Sequence, residues 1–270
     1  MIQHGIHLRL SEADYHRREL GMVSKSGLDL VRRSPAHYKA WVDGQDGETT
    51  PAMAFGKAFH CAILEPDVFS ATYTVEPDFG DCRFKDNKSK RDEWRAASVG
   101  KTPLTVEDGA AITAMAKAVH DHPRAGRMLT GGDAEVTARW QDPETSLECK
   151  ARGDYLRRDL RMLIDVKTTT DASPLGFPKS FANYGYFRQE ALYRDGFNAA
   201  GAPVDLFAFI AVEKVPPYAL AIYTLEAEDI QRGRDSVRRD MVTLAECLRR
   251  NEWPGYPEEI QTLKLPSWAA

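Results

Sequence analysis

The segment Leu163-Ile164-Asp165-Val166-Lys167 sets an acid and a base two positions apart in a run otherwise as apolar as a sheet interior. Side chains two apart on a strand share a face, so Asp165 and Lys167 project together while Ile164 and Val166 turn the other way. Charges in such a strand are costly unless they are paired or bound to metal, which leaves a salt-bridged pair or a metal site. Asp154 precedes Asp165 by eleven positions. A turn at Arg157-Arg158-Asp159 can fold the two carboxylates together across a hairpin, although Asp154 alone also reads as a turn residue after Gly153. Converging carboxylates repel, and a divalent cation between them removes that penalty. Two acids and a lysine then describe a site for a hard ion such as Mg²⁺ and an activated water, the chemistry of phosphodiester hydrolysis.

Other residues join this constellation with alternatives attached. His60 is a further ligand or a satisfied core histidine, since imidazole suits softer metals. Glu135 is a further acidic ligand or an outward strand residue. Gln189 and Tyr193, four apart, share one helix face. The glutamine can orient a base, a phosphate or the water, and the tyrosine can bond phosphate or pack in the core. Ser24, Lys25 and Ser26 can hold phosphate at a helix N-terminus or simply cap that helix. In the aperiodic stretch from Glu76 to Pro103, Arg83, Lys85, Lys88, Lys90, Arg91 and Arg95 outnumber the acids interspersed among them, Asp86, Asp92 and Glu93. That stretch reads as a mobile basic loop or a short exposed helix, either DNA-facing or merely solvated.

The elements that must position these groups form an α/β pattern. Ser11, Ser24, Ser34-Pro35 and Thr105 read as helix N-caps, with Gly21 and Gly44 as stops. Pro51 to Leu64 has apolar residues at helical spacing and carries His60. Ala134 to Trp140, Leu147 to Leu156 and Met162 to Thr168 predict a three-stranded meander. Helical patterning from about Ser173 to Asn198 carries Gln189 and Tyr193. Two strands, Leu206 to Val212 and Ala219 to Leu225, precede a long helix from about Glu226 to Arg250. The expected architecture is a mixed central β-sheet flanked by helices, with a helical N-terminal cap. The expected organisation is one domain over 1–270: cap and His60 helix over 1–130, catalytic sheet and Gln189 helix over 131–225, and a C-terminal helix and tail over 226–270.

Composition narrows the function classes. With 43% hydrophobic and 28% charged residues over 270 positions, the chain is an ordinary globular one. Its densest apolar runs are far shorter than the roughly 20 residues that span a bilayer, and no secretory pattern opens the chain, so the expectation is a cytoplasmic protein. The 4 cysteines stand singly, against a zinc knuckle. A net charge of −4 means that any polyanion site must be local.

Asp154 followed by Asp165-Val166-Lys167 resembles the PD-(D/E)XK nuclease signature. Gln189-Glu190-Ala191-Leu192-Tyr193 is similar to the Q-x-x-x-Y motif of its RecB-like branch. Ser24-Lys-Ser-Gly-Leu28, Ser34-Pro-Ala-His-Tyr38, Gly56-Lys-Ala-Phe-His60 and Tyr186 through Phe197 extend the likeness to RecE-type exonuclease VIII nuclease domains, over roughly residues 9 to 215. The resemblance implies a Mg²⁺-dependent exonuclease, with Mn²⁺ substituting. It would degrade one strand of linear double-stranded DNA from the 5′ end and supply 3′ single strands to an annealing protein. Asp154 and Asp165 then hold metal, with His60, the Val166 backbone carbonyl and Glu135 as further ligands. Lys167 assists the attacking water, and Gln189 and Tyr193 line the site. It further implies a homo-oligomeric ring, a tetramer; the net charge of −4 requires the basic residues to be segregated on its DNA-facing surface, with Arg83 to Arg95 as the leading candidate segment and Arg232, Arg234, Arg238 and Arg239 as the second. The competing reading is a catalytically inactive relative of the same fold that holds DNA ends or proteins. The iron-sulfur branch does not fit, because Cys247 has no cysteine neighbour.

Overall fold

A computed structural model describes residues 3–45 and 50–265; the last five residues of the expected C-terminal tail lie outside it. In chain order the elements are β1 (Gly5–His7), α1 (Glu12–His16), α2 (Lys25–Arg33), α3 (Pro35–Val42), α4 (Pro51–Leu64), α5 (Pro66–Thr72), β2 (Tyr73–Val75), α6 (Lys85–Ala97), β3 (Thr102–Leu104), α7 (Val106–Asp121) and α8 (Ala125–Met128). There follow β4 (Asp133–Gln141), β5 (Glu148–Arg157), β6 (Met162–Thr169), α9 (Phe177–Asn183), α10 (Tyr186–Ala199), β7 (Leu206–Glu213), β8 (Leu220–Tyr223) and α11 (Ala227–Arg250). Short polar side chains start the early helices. Ser11, Ser24, Ser34 and Thr105 accept from the amides of Asp14, Gly27, His37 and Asp108, groups that a helix leaves without partners.

The strands form one six-stranded sheet in the order β1-β4-β5-β6-β7-β8. Neighbours are antiparallel except β6 and β7, which run parallel with Asp165 opposite Phe209 and Lys167 opposite Ala211. A parallel pair needs a crossover. Here α9 and α10 make it, which brings Gln189 back over the strand that carries Asp165. The sheet is the mixed α/β sheet expected from the pattern, widened by β1, a strand in a region expected to be helical.

Helices cover both faces. On one, Leu28, Val31 and Tyr38 join Leu192, Phe197, Val237, Met241 and Leu244 over Val136, Leu163, Phe207 and Phe209. On the other, Ala58, Phe59, Ile63, Ile112, Met115 and Val119 pack against Ile164, Val166, Ala208, Ile210 and Val212. The second face is shared: beside α4 and α7, the segment from Leu10 to Arg17 lies over β4 and β5. Arg152, on β5, donates to the Leu10 carbonyl at 2.8 Å and to Glu12 at 2.5 Å, and Lys150 donates to the Tyr15 and Arg17 carbonyls at 2.5 and 2.7 Å. The N-terminal helices are thus a layer of the fold.

Two local features depart from the sequence pattern, and in a third, the basic region, the exposed-helix alternative holds. Gly185, at φ +62°, breaks the expected helical stretch into α9 and α10. The basic region between Glu76 and Pro103 contains the helix α6, of which no residue is buried. A parallel two-stranded pair, β2 with β3, brackets it.

Close packing between α10 and the sheet gives a stability test. A Cβ on Gly196 would lie 2.2 Å from the Trp140 ring, whereas one on Gly56, in α4, would meet nothing within 4 Å. Alanine is the better helix former at both positions. We expect Gly196→Ala to destabilise by about 1–3 kcal/mol through overpacking and Gly56→Ala to stabilise by about 0.5–1 kcal/mol, as read by thermal and denaturant unfolding. Equal responses at the two positions would contradict the packing.

Candidate metal and phosphodiester site

The site forms where β5 and β6 part. Their ladder runs from Arg157 opposite Met162 to Tyr155 opposite Ile164 and stops there. One residue on, Asp154 takes over the missing ladder partner, its Oδ2 accepting from the Val166 amide at 2.7 Å. Asp165 and Lys167 project from β6 on the α10 side, as strand alternation requires, with Lys167 Nζ 2.6 Å from Asp165 Oδ2. Gln189, reaching down from α10, donates to Asp165 Oδ1. That carboxylate is 1% exposed. Asp165 Oδ2 therefore has the Lys167 ammonium as its partner.

Two more groups complete the acidic face. His60, on α4, lies with Nδ1 3.4 Å from Asp154 Oδ2. Glu135 on β4 has φ +50°, a conformation that non-glycine residues rarely adopt. It falls at the gap in the β4–β5 ladder between the Ala134–Tyr155 and Val136–Gly153 pairs, opposite Asp154. His60, Glu135 and Asp154 each place one ligand atom within 4.8 Å of the other two. Asp165 stands beside this trio, held by Lys167 and Gln189.

Electrostatics record the crowding. Burial, and then the charge of Asp154, push the Glu135 carboxyl up to about 8. The same two causes raise Asp165 to about 6 against the pull of Lys167. Burial works against the charge on Lys167, but Asp165 and Asp154 outweigh it and hold the ammonium above its ordinary range. Strained backbone at Glu135 and three acids in one volume are what a cation-binding site leaves behind in the protein's own energetics. An oxygen-rich set with one imidazole fits a divalent ion.

The remaining sequence candidates are placed differently. Tyr193 is buried in the core against Phe207, with ring centroids 6.5 Å apart, and burial pushes its phenol well above the usual range. Ser24 is buried and caps α2 by accepting from Gly27 N at 3.2 Å; its Oγ lies 3.4 Å from that of the exposed Ser26. Lys25 pairs with Asp29 at 2.7 Å and donates to the Tyr184 carbonyl at 2.6 Å. Lys85, Lys88, Lys90 and Arg91 lie on α6, Arg91 paired with Asp92, and Arg83 just before it is paired with Asp81. On α11, Arg234 and Arg238 are paired with Asp195 and Asp142, and Arg232 with Glu228 and Asp229.

Sequence reasoning passed over Arg188. Its side chain is 3% exposed and reaches Asp240 on α11 and Asp29 on α2, which anchors the helix turn that carries Gln189. An arginine within a helical stretch gives no signal of such burial. Of the two alternatives for Glu135, ligand or outward strand residue, its position beside Asp154 fits the ligand; the left-handed φ that puts it there has no signature in Ala134-Glu135-Val136. Among the described residues, no helix is long and apolar enough to cross a membrane.

Comparison with known proteins bears on the fold. A candidate exonuclease from Eubacterium rectale superposes with a TM-score of 0.61 over 94% of this chain and 97% of its own, at 12% identity. At that identity the likeness is one of fold. A phage-related exonuclease from Haemophilus somnus (12% identity, 64% and 92% covered, TM-score 0.35) and the LHK-Exo nuclease of Laribacter hongkongensis in complex with dAMP (15%, 88% and 96%, TM-score 0.38) are more distant. No curated protein sequence matches. The family model described as a PDDEXK-like domain of unknown function (DUF3799) matches residues 24–266. With nine-tenths of its length inside that match and its acids set where two central strands part, the chain belongs to this PDDEXK-like family.

Proposed function

We propose that the protein is a divalent-cation-dependent exodeoxyribonuclease acting on linear double-stranded DNA. The observation that carries this reading is the convergence of His60, Glu135 and Asp154 within 4.8 Å beside the Asp165–Lys167 pair. A half-buried acid cluster beside the buried Asp165 has little structural value, since withdrawing unpaired carboxylates from water costs stability. It suits a polyanionic substrate whose reacting phosphorus must be neutralised.

His60, Glu135, Asp154 and Asp165 would hold Mg²⁺ or Mn²⁺, with the Val166 carbonyl as a further donor; the ion would supply charge neutralisation and an acidified water. The chain's own groups do the rest. Gln189 fixes one oxygen of Asp165, so the other stays toward Lys167. The neighbouring carboxylates keep Lys167 protonated, and its ammonium can stabilise negative charge growing on the attacked phosphate. Val166 N holds the Asp154 rotamer.

The resemblance to RecE-type nucleases supports a finer proposal: 5′-to-3′ polarity, 3′ strands handed to an annealing protein, and a ring-shaped homo-oligomer. A ring encloses its substrate, and contacts to several phosphates make affinity fall steeply with salt. Light scattering at micromolar concentration should then give several times the 30.3 kDa of one chain. A monomer removes the ring and leaves a distributive enzyme.

The central test uses linear duplex labelled at the 5′ or the 3′ end, with and without Mg²⁺, beside a closed circular control. Loss of the 5′ label first, only with metal and only on the linear form, is the expected result. Binding without cleavage would establish the inactive end-binding alternative. Asp154→Asn, Asp165→Asn and Lys167→Ala should each lower the rate about 10²-fold or more while DNA binding persists through other phosphate contacts. His60→Ala should raise the Mg²⁺ concentration for half-maximal rate; an unchanged metal titration with lowered thermal stability would make His60 a core residue only.

The raised carboxyl of Glu135 gives a pH signature with a definite sign. Between the ordinary glutamate range and about 8, the folded metal-free protein keeps a proton that the unfolded chain has released. Stability therefore falls as pH rises through that window. Thermal unfolding in a chelator should show this decline from about pH 5 to 8. Mg²⁺ or Mn²⁺ should reduce it, because metal binding needs the ionised carboxylate, and Glu135→Gln should flatten it without metal. A slope unchanged in Glu135→Gln would locate the titration elsewhere.

A further inference from the structure

Beside the catalytic lysine stands an aromatic arrangement that the chemistry above does not use. Tyr184 caps the end of α9, Tyr186 opens α10, and Gly185 between them has φ +62°. That left-handed glycine turns the chain so that two rings only two residues apart stack, with centroids 5.7 Å apart and planes at 25°. Tyr186 is the inner member. It stacks on Phe209 at 6.1 Å, and Lys167 Nζ lies 4.7 Å from its ring centroid. Tyr184 is the outer member and is 62% exposed, so the face turned away from Tyr186 meets solvent.

The outer ring is held in place more firmly than a surface tyrosine needs. Lys25 crosses from α2, donates to the Tyr184 carbonyl at 2.6 Å, pairs with Asp29 at 2.7 Å and puts its ammonium 5.9 Å from the Tyr186 ring. The contact explains why a lysine follows the N-cap of α2. A single exposed tyrosine is unremarkable. One that extends a stack ending on the reactive lysine, with its backbone braced from another helix, has its open face one ring away from the reacting centre.

We propose that Tyr184 and Tyr186 form a nucleobase platform, on which an unpaired base of the strand being cut stacks against the open face of Tyr184 beside the phosphodiester held at Lys167. The proposal rests on the nuclease reading and adds its substrate contact. Every base has a π-face, so the platform tolerates any sequence. A base must leave its pair to lie on it, so frayed or single-stranded ends are favoured over blunt, GC-rich ones.

The test uses the full chain in a chelator, where nothing is cut. Oligonucleotides carry the fluorescent base 2-aminopurine at the terminal or the next position; stacking on a tyrosine ring quenches its emission. Wild type and Tyr184→Phe should bind with quenching. Tyr184→Ala should bind about tenfold more weakly, within the range found for base–aromatic stacking, and lose the quench. An abasic residue at the same position should weaken wild-type binding by a similar factor and add little to Tyr184→Ala; this arm reads the platform on the unaltered protein. Equal affinity and quenching in Tyr184→Ala, or no effect of the abasic residue on wild type, would overturn the platform. So would Tyr184→Phe behaving like Tyr184→Ala, which would make the hydroxyl the contact. Cleavage with Mg²⁺ is scored separately. Tyr184-dependent quenching without cleavage upholds the platform and removes the nuclease reading. Cleavage with no dependence on Tyr184 removes the platform alone, and absence of DNA binding removes both.

Discussion

Three carboxylates from three adjacent strands, Glu135, Asp154 and Asp165, occupy one largely dehydrated volume with Lys167 and His60 as their basic neighbours. Their mutual repulsion is the constraint around which the fold is arranged. A hydrophobic protein interior would expel such a cluster, and burial together with the charge of Asp154 accordingly raises the carboxyls of Glu135 and Asp165. It is kept because stronger structure surrounds it. The parallel β6–β7 ladder fixes Asp165 and Lys167, the crossover lays Gln189 over them, and α4 is packed by Phe59 and Ile63 so that His60 faces Asp154.

The surrounding ion pairs serve this end. Arg188 ties α10 to α2 and α11, which sets the depth of Gln189. Arg152 and Lys150 hold the segment from Leu10 to Arg17 across β4 and β5, the strands that carry Glu135 and Asp154. Buried pairs of this kind add little net stability over apolar substitutes, while the loss of one partner is costly. They are best understood as fixing geometry around a site whose own energetics are unfavourable without a cation.

Local chemistry made much of this legible in the sequence. Alternation put Asp165 and Lys167 on one face, the helical spacing from Pro51 to Leu64 placed His60 on a buried helix, and Ser11, Ser24, Ser34 and Thr105 mark helix starts, because each depends on neighbours within four residues. Asp154 and the paired motifs were enough to suggest the nuclease-like family. The same local logic left Glu135 undecided and ran one helix through Gly185. In both cases a left-handed φ, which neither alternation nor helical periodicity encodes, interrupts the regular pattern.

What the sequence determined alone, then, was the kinds of element, the residues competent for chemistry and the face each shows on its own element. Tertiary structure decided which of those faces meet. The end of the β5–β6 ladder at Tyr155, the entry of Glu135 into the acid cluster, the use of Lys25 to brace Tyr184, and the burial of Tyr193 all depend on contacts between residues tens of positions apart. Such contacts follow from the packing of whole layers and the cost of dehydrating charge. Neither is a property of any short stretch of chain.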